Sequence, residues 1–80
     1  MIDRNRIEPP YLQLAVLLED EITSGRIAPG ARVPSITDLM GRYDVGKNTA
    51  IRAVKELRDK GLVEVRPGWG TFARSIPLET

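Results

Sequence analysis

Apolar residues recur at helical spacing in three stretches of the chain and then switch to strict alternation. In the first stretch Tyr11, Leu14, Ala15, Leu18 and Ile22 form one stripe. Pro10 suits its opening turn, where a missing N–H costs nothing, and Gly25 after Ser24 suits a left-handed stop. Leu12, Val16 and Leu17 fall outside the stripe, so either the buried face is wide or a second surface is covered by something else. Pro29-Gly30 then reads as a type II turn, and Ala31-Arg32-Val33 as a very short strand. Ser35, with Asp38 three positions on, has the spacing of a capping box and opens a second helix with Ile36, Leu39, Met40 and Tyr43 on its apolar face. Asp44 stands at the tight bend that follows, and Asp tolerates a positive φ better than most residues with a Cβ.

The third helical stretch, Asp44 to Gly61, carries two different faces. Projected at about 100° per residue, Ala50, Ala53, Val54 and Leu57 fall together. Asn48, Arg52, Lys55 and Asp59 fall opposite, with Ile51 at the margin. Gly46 is a modest N-cap, Lys60 can meet the last carbonyls, and Gly61 supplies the left-handed terminating position. Beyond it, Leu62 to Arg66 alternates as a strand, Pro67 to Gly70 is a turn, and Thr71 to Arg74 alternates again. The order helix, short strand, helix, helix, strand, strand predicts a mainly α fold with a small β-hairpin, a winged helix-turn-helix. Residues 1–9 are expected to be a flexible N-terminal arm, 10–74 the domain, and 75–80 a tail or the start of a linker. Tyr11, Leu14, Leu18, Leu39, Val54, Leu57, Val63 and Phe72 are the expected core.

Composition narrows the chemistry. The 80 residues include no Cys and no His, which removes disulfides, Cys/His zinc sites and the usual general base. No apolar run approaches the ~20 residues of a membrane span, so the expectation is a cytoplasmic protein with no membrane partner, no cofactor and no catalysis. The net charge of +1 is unevenly spread: residues 1–40 hold four Lys/Arg against six Asp/Glu, residues 41–80 eight against five. The basic half is the one containing the two-faced helix, an asymmetry that suits nucleic acid.

Several side chains fit that partner, and each has a plainer role. Lys47 can donate to guanine or to a phosphate, and Asn48 can bond an adenine edge or serve the helix terminus. Thr49 can bond phosphate or cap the first turn. Arg52 suits phosphate or base, Lys55 phosphate, and Ile51 either a thymine methyl or the core edge. Arg66 and Arg74, taken as the hairpin base, suit phosphate. Ser35 is a cap first, with neighbouring N–H groups offering a phosphate site second. Trp69, in a turn between glycines, can lie along a minor groove, pack back on the hairpin or fill a partner's surface.

The chain resembles the DNA-binding domain of the GntR family of bacterial transcription regulators from Pro10 to Ala73. The carrying residues are Tyr11, Ser24-Gly25, Pro29-Gly30 and Pro34-Ser35, then Val45, Asn48, Thr49, Ala53 and Leu57, then Gly61-Leu62-Val63, Arg66-Pro67-Gly68 and Gly70-Thr71-Phe72. The resemblance implies sequence-specific binding of double-stranded operator DNA, palindromic and bound by a homodimer, by a repressor. It adds Thr37, Gly68 and Gly70 as contact positions. It also implies a small-molecule effector where a C-terminal domain follows in a longer parent chain. The chain departs from the pattern in ways that move the base contacts: Ile36-Thr37 replaces Glu-Arg, Gly46-Lys47 replaces Ser-Arg, and Ile51 stands where a later Arg is usual, with Arg52 next. The competing reading is a protein-interaction module using Leu12, Val16, Leu17 and Trp69; a contiguous cationic face would separate the two.

Overall fold

The computed structural model of the protein describes residues 2–74; the expected tail at 75–80 lies outside them. Helix α1 spans Pro10–Thr23, α2 Ile36–Tyr43 and α3 Lys47–Asp59, followed by strands β1, Val63–Arg66, and β2, Gly70–Ala73. Each boundary has a local cause. Pro9 and Pro10 open α1, and the Ser35 hydroxyl accepts the Asp38 N–H at 3.1 Å to cap α2. Asp44 adopts φ 54, ψ 53, the left-handed conformation that turns the chain between α2 and α3. At the end of α3, Gly61 takes φ 78 while the Leu62 N–H reaches the Leu57 carbonyl at 2.9 Å, closing the helix in a Schellman-type motif.

The three helices bury their predicted stripes against one another. Leu14, Ala15, Leu18 and Ile22 of α1, Leu39 of α2, and Ala50, Ala53, Val54 and Leu57 of α3 share one core with Val33, Val45, Leu62, Val63 and Ala73. Ala50 and Ala53 are fully buried, and their small side chains permit the close packing of α1 on α3. Strands β1 and β2 pair antiparallel from Val63 opposite Ala73 to Arg66 opposite Gly70. The turn is closed by the Trp69 N–H on the Arg66 carbonyl at 2.9 Å, with Gly68 at φ 81.

Four expectations change. The short strand is reduced to one bridge, Arg32 opposite Phe72, although its backbone still pairs with β2: Val33 N–H to the Thr71 carbonyl and Ala73 N–H to the Ala31 carbonyl, each 2.8 Å. Pro34 ends the pairing there because it has no N–H to give. Tyr11 and Phe72 lie half-exposed outside the core. For Phe72 the reason is the pleat: Ala73 faces inward opposite Val63, so its neighbour faces out. Arg66 borders the hairpin tip, since only residues 67–69 separate the paired Arg66 and Gly70; Arg74 alone is at the base.

The fourth change concerns the arm. Buried Gln13 of α1 donates to the carbonyls of Asp3 at 2.7 Å and Glu8 at 2.8 Å, and accepts the Asp3 N–H at 2.7 Å. One amide thereby satisfies three of its hydrogen-bonding sites inside the fold. Ile2 packs against the core, and the Arg4 guanidinium donates to the Asp44 carbonyl. Residues 2–8 thus lie back along the domain where the sequence pattern suggested a loose lead. Polar composition alone predicts solvation, whereas a single buried amide aimed at the arm's backbone organises it.

Candidate nucleic-acid interface

The helix-turn-helix is built by α2, the Asp44 bend and α3, which places the first turn of α3 at an exposed corner. Lys47 and Asn48 are exposed there and Thr49 is half-buried. Among the described residues neither the Asn48 amide nor the Thr49 hydroxyl forms a hydrogen bond, and Gly46, the N-cap, has no side chain to cap α3 with. One and two turns further on, Arg52 and Lys55 continue the same exposed face. Neither forms an ion pair among the described residues. The Arg52 guanidinium instead lies over the Tyr11 ring of α1, 4.0 Å from its centroid.

Three acidic residues of α1 are occupied elsewhere. Arg26 donates to Glu21 at 2.9 Å and Asp20 at 2.7 Å, and Lys60 pairs with Glu19 at 3.3 Å. The hydrogen bonds from Glu21 and then Asp20 push the Arg26 guanidinium above its already high range. Glu19, Asp20 and Glu21 of α1 are therefore neutralised by Arg26 and Lys60, cations beyond the C-terminal ends of α1 and α3. That pairing leaves the cations on the middle and N-terminal part of α3 without acidic partners. Charge segregation of this kind within a nearly neutral chain produces a local positive field.

Ser35 and Thr37 stand at the N-terminus of α2, both exposed, with the Ser35 hydroxyl engaged as the cap. Ile51, 42 % exposed, lines an apolar groove of about 280 Å³ with Ile36, Val54, Val65 and Thr71, between α2, α3 and the hairpin. Trp69 is 73 % exposed at the hairpin tip, beside Gly68 and Gly70. Arg66 adjoins this tip, but it is shared between Glu64 at 3.5 Å and the Phe72 ring at 5.5 Å. Arg74 is the one candidate placed apart: its guanidinium passes Gly61 at the C-terminal end of α3, roughly 20 Å along the helix from Lys47 at 1.5 Å rise per residue.

Arg32 escaped the sequence analysis. Its guanidinium crosses Gly70 so closely that a Cβ there would lie 2.8 Å from Nε, and Gly70 itself holds φ 121. The backbone angle requires glycine at 70; the Arg32 guanidinium, at the far end of a flexible side chain, would shift to make room for a Cβ. The signal was present in the short strand, whose alternation sends Arg32 outward next to the hairpin. Arg4 was also missed, since its contact with Asp44 spans 40 residues.

Among the described residues no group of acidic residues could hold a metal ion, and no helix is long and apolar enough to cross a membrane.

Residues 10–73 match the model of the bacterial regulatory proteins of the gntR family. The chain is 37 % identical over 71 residues to the HTH-type transcriptional regulator Rv1152 of Mycobacterium tuberculosis, covering 89 % of this chain and 59 % of that one. It is similar in structure to a GntR-family transcriptional regulator with a TM-score of 0.85 and 36 % identity, covering 91 % of this chain and 29 % of the other. It is similar also to AraR(DBD) in complex with operator ORR3, with a TM-score of 0.81 and 27 % identity over 91 % of this chain and 88 % of that one. The chain thus spans about three fifths of the mycobacterial regulator and less than a third of the first crystal structure's chain.

Proposed function

This chain belongs to the gntR family of bacterial regulatory proteins and is a DNA-binding domain of that family, and on that premise we propose that α3 enters the major groove of an operator while the hairpin meets the adjacent backbone or minor groove. The observation that carries the reading is the set of uncommitted donors on one face of α3: Lys47 and Asn48 at its first turn, Arg52 and Lys55 behind them. Asn48, with no intramolecular partner, is the base reader, since an amide matches the N6/N7 edge of adenine bidentately. Lys47 reaches guanine or the flanking phosphate as a point charge. Thr49 bonds phosphate, and Ile51 offers a methyl surface to thymine at the rim of its groove. Ser35 and Thr37 bring the N-terminal N–H groups of α2 to a phosphate. Arg66, Gly68, Trp69 and Gly70 form the wing's contact; Arg74 is assigned only a peripheral phosphate role.

Replacing Asn48 by Ala should cost about 1–3 kcal/mol on the preferred duplex and relax the choice of one base pair. Lys55→Ala should weaken every duplex alike. Titration of both variants against a panel of single-base-changed duplexes checks this; uniform losses from Asn48→Ala would remove it as a base reader. The regulatory sign we assign is repression, because a domain that only occupies DNA obstructs polymerase, whereas activation needs a further contact with it. The protein acts by binding, in the cytoplasm, without catalysis or cofactor. A small-molecule effector enters this reading only where a C-terminal domain follows in a longer parent chain.

Two copies on a palindromic operator complete the proposal, since paired half-sites multiply affinity. The face available for pairing is on α1. Val16 is 60 % exposed and lines, with Leu12 and Leu17, a mainly apolar groove of about 320 Å³ bordered by Arg6, Glu8 and Gln13. Val16 is therefore outside the core, which disposes of a wide buried face as its explanation. Val16→Glu should leave the fold and single half-site binding intact and abolish cooperative filling of a two-half-site duplex in sedimentation. Unchanged cooperativity would move the pairing surface elsewhere.

A further inference from the structure

Among the described residues Arg52 is the only α3 cation whose side chain is held by another helix, and the geometry of that hold has a chemical consequence. Its guanidinium carbon sits 4.0 Å above the ring centroid of Tyr11, the second residue of α1. At this separation the ring takes one face of the planar cation. All five N–H donors of a guanidinium point outward in the plane, along its edge, so stacking orients the fork without consuming it.

The alternative partners are close at hand and neither holds Arg52; Asp59 pairs with Arg58 at 3.8 Å instead. Glu56, one helical turn after Arg52, and Asp59, two turns after it, line the same shallow groove as Tyr11, Arg52 and Lys55. Arg52 and Glu56, four residues apart on the helix surface, are near enough to pair, although the cation-first order is the weaker one. Here no hydrogen bond or ion pair joins Arg52 to either acid among the described residues. Tyr11 holds the guanidinium against α1, and among the described residues no acceptor takes its edge. A planar cation displaced to the flank of a groove-reading helix faces the wall of the groove, where the phosphates are, and not its floor, where the bases are.

Resting on the assignment of α3 as the DNA-reading helix, we propose that Tyr11 is a positioning residue that presents the edge of Arg52 to a backbone phosphate flanking the site. The α1 helix then contributes to DNA binding through the orientation it imposes on a side chain of α3. The ring supplies the platform; the Tyr hydroxyl is not required for it.

The test compares Tyr11→Leu, Tyr11→Phe, Arg52→Ala and the double variant Tyr11→Leu/Arg52→Ala on the preferred duplex, with affinity measured across salt concentrations and urea unfolding run beside it. Tyr11→Leu should weaken binding about two- to fivefold, the range of an exposed cation–π contact. Tyr11→Phe should restore most of that loss. Arg52→Ala should flatten the logarithmic salt dependence by about 0.9, one phosphate, and weaken all base-changed duplexes alike. Adding Tyr11→Leu to Arg52→Ala should then have no further effect. A full additional loss in the double variant would overturn the positioning role, whatever the urea midpoint does. Tyr11→Phe as weak as Tyr11→Leu would overturn the platform and assign the contact to the hydroxyl. An Arg52→Ala variant with an unchanged salt slope and a relaxed preference at one base pair would overturn the phosphate. Should Tyr11→Leu fail to fold, Tyr11→Phe and Arg52→Ala still decide between ring and hydroxyl and between phosphate and base. Failure of the unsubstituted protein to bind any duplex would instead refute the major-groove reading itself.

Discussion

Raising the salt from about 50 to about 200 mM should weaken binding of this domain to its preferred duplex by roughly 500-fold. The magnitude follows from counting cations that can reach phosphate: Lys47, Arg52 and Lys55 on α3, with Arg32 and Arg66 beside the hairpin. About five neutralised phosphates give a logarithmic slope near −4.5 on B-form DNA, and a fourfold rise in salt then accounts for the loss. Of the cations paired to acids only Arg66 enters this count, because its 3.5 Å contact with Glu64 joins two exposed side chains without a hydrogen bond and yields to phosphate. Arg26 is engaged by Asp20 and Glu21, and Lys60 by Glu19, so release of counterions from DNA is not their work. Fluorescence anisotropy on one duplex across a salt series measures the slope directly. A flat line would leave the exposed face of α3 without its proposed partner and would favour an interaction with protein through the apolar groove of α1.

The second large effect is on stability. Leu57→Ala should destabilise the domain by about 2–5 kcal/mol, the span observed for buried Leu truncations. Leu57 is 0 % exposed and stands on the inner face of α3, packed in the common core with Leu14, Leu18 and Val63. A domain of this size commands only about 4–12 kcal/mol in total, so the variant is expected to lie near the edge of folding. Ile51→Ala, six residues earlier on the same helix but 42 % exposed, should cost less than about 1 kcal/mol. Urea unfolding of both proteins separates the faces of α3. A Leu57→Ala loss no larger than that of Ile51→Ala would contradict the placement of the core.

The same contrast explains how the domain can carry a polar DNA-facing helix at small size. Nearly all of the inner face of α3 is small or branched aliphatic, and Ala50 and Ala53 bring α1 close enough for Tyr11 to reach across to Arg52. Packing and function thus meet at one crossing. Enlarging Ala53 would separate the helices before it touched any DNA-facing residue.

Much of this was determined by sequence alone, wherever the cause is local. Helix ends follow from Pro10, Ser35, Asp44 and Gly61, each acting within a few residues of itself. The stripes of α1 and α3 follow from periodicity, and the hairpin from alternation around Pro67-Gly68. The exposed positions of Asn48, Arg52 and Lys55 follow from the same helical projection. What only tertiary structure decided are the relations between segments. Period two could not say which face of β2 was inward, and so placed Phe72 in the core. Polar composition could not show that Gln13 gathers the arm, nor that Arg4 reaches Asp44 across 40 residues. The partner of Arg52 looked open between solvent, phosphate and base until α1 packed against α3 and set an aromatic ring beneath it. Caps and periods are short-range properties that each residue carries wherever it stands. The burial of a face, the pairing of a charge and the orientation of a guanidinium depend on what another part of the chain brings to them, and that is settled only when the chain closes on itself.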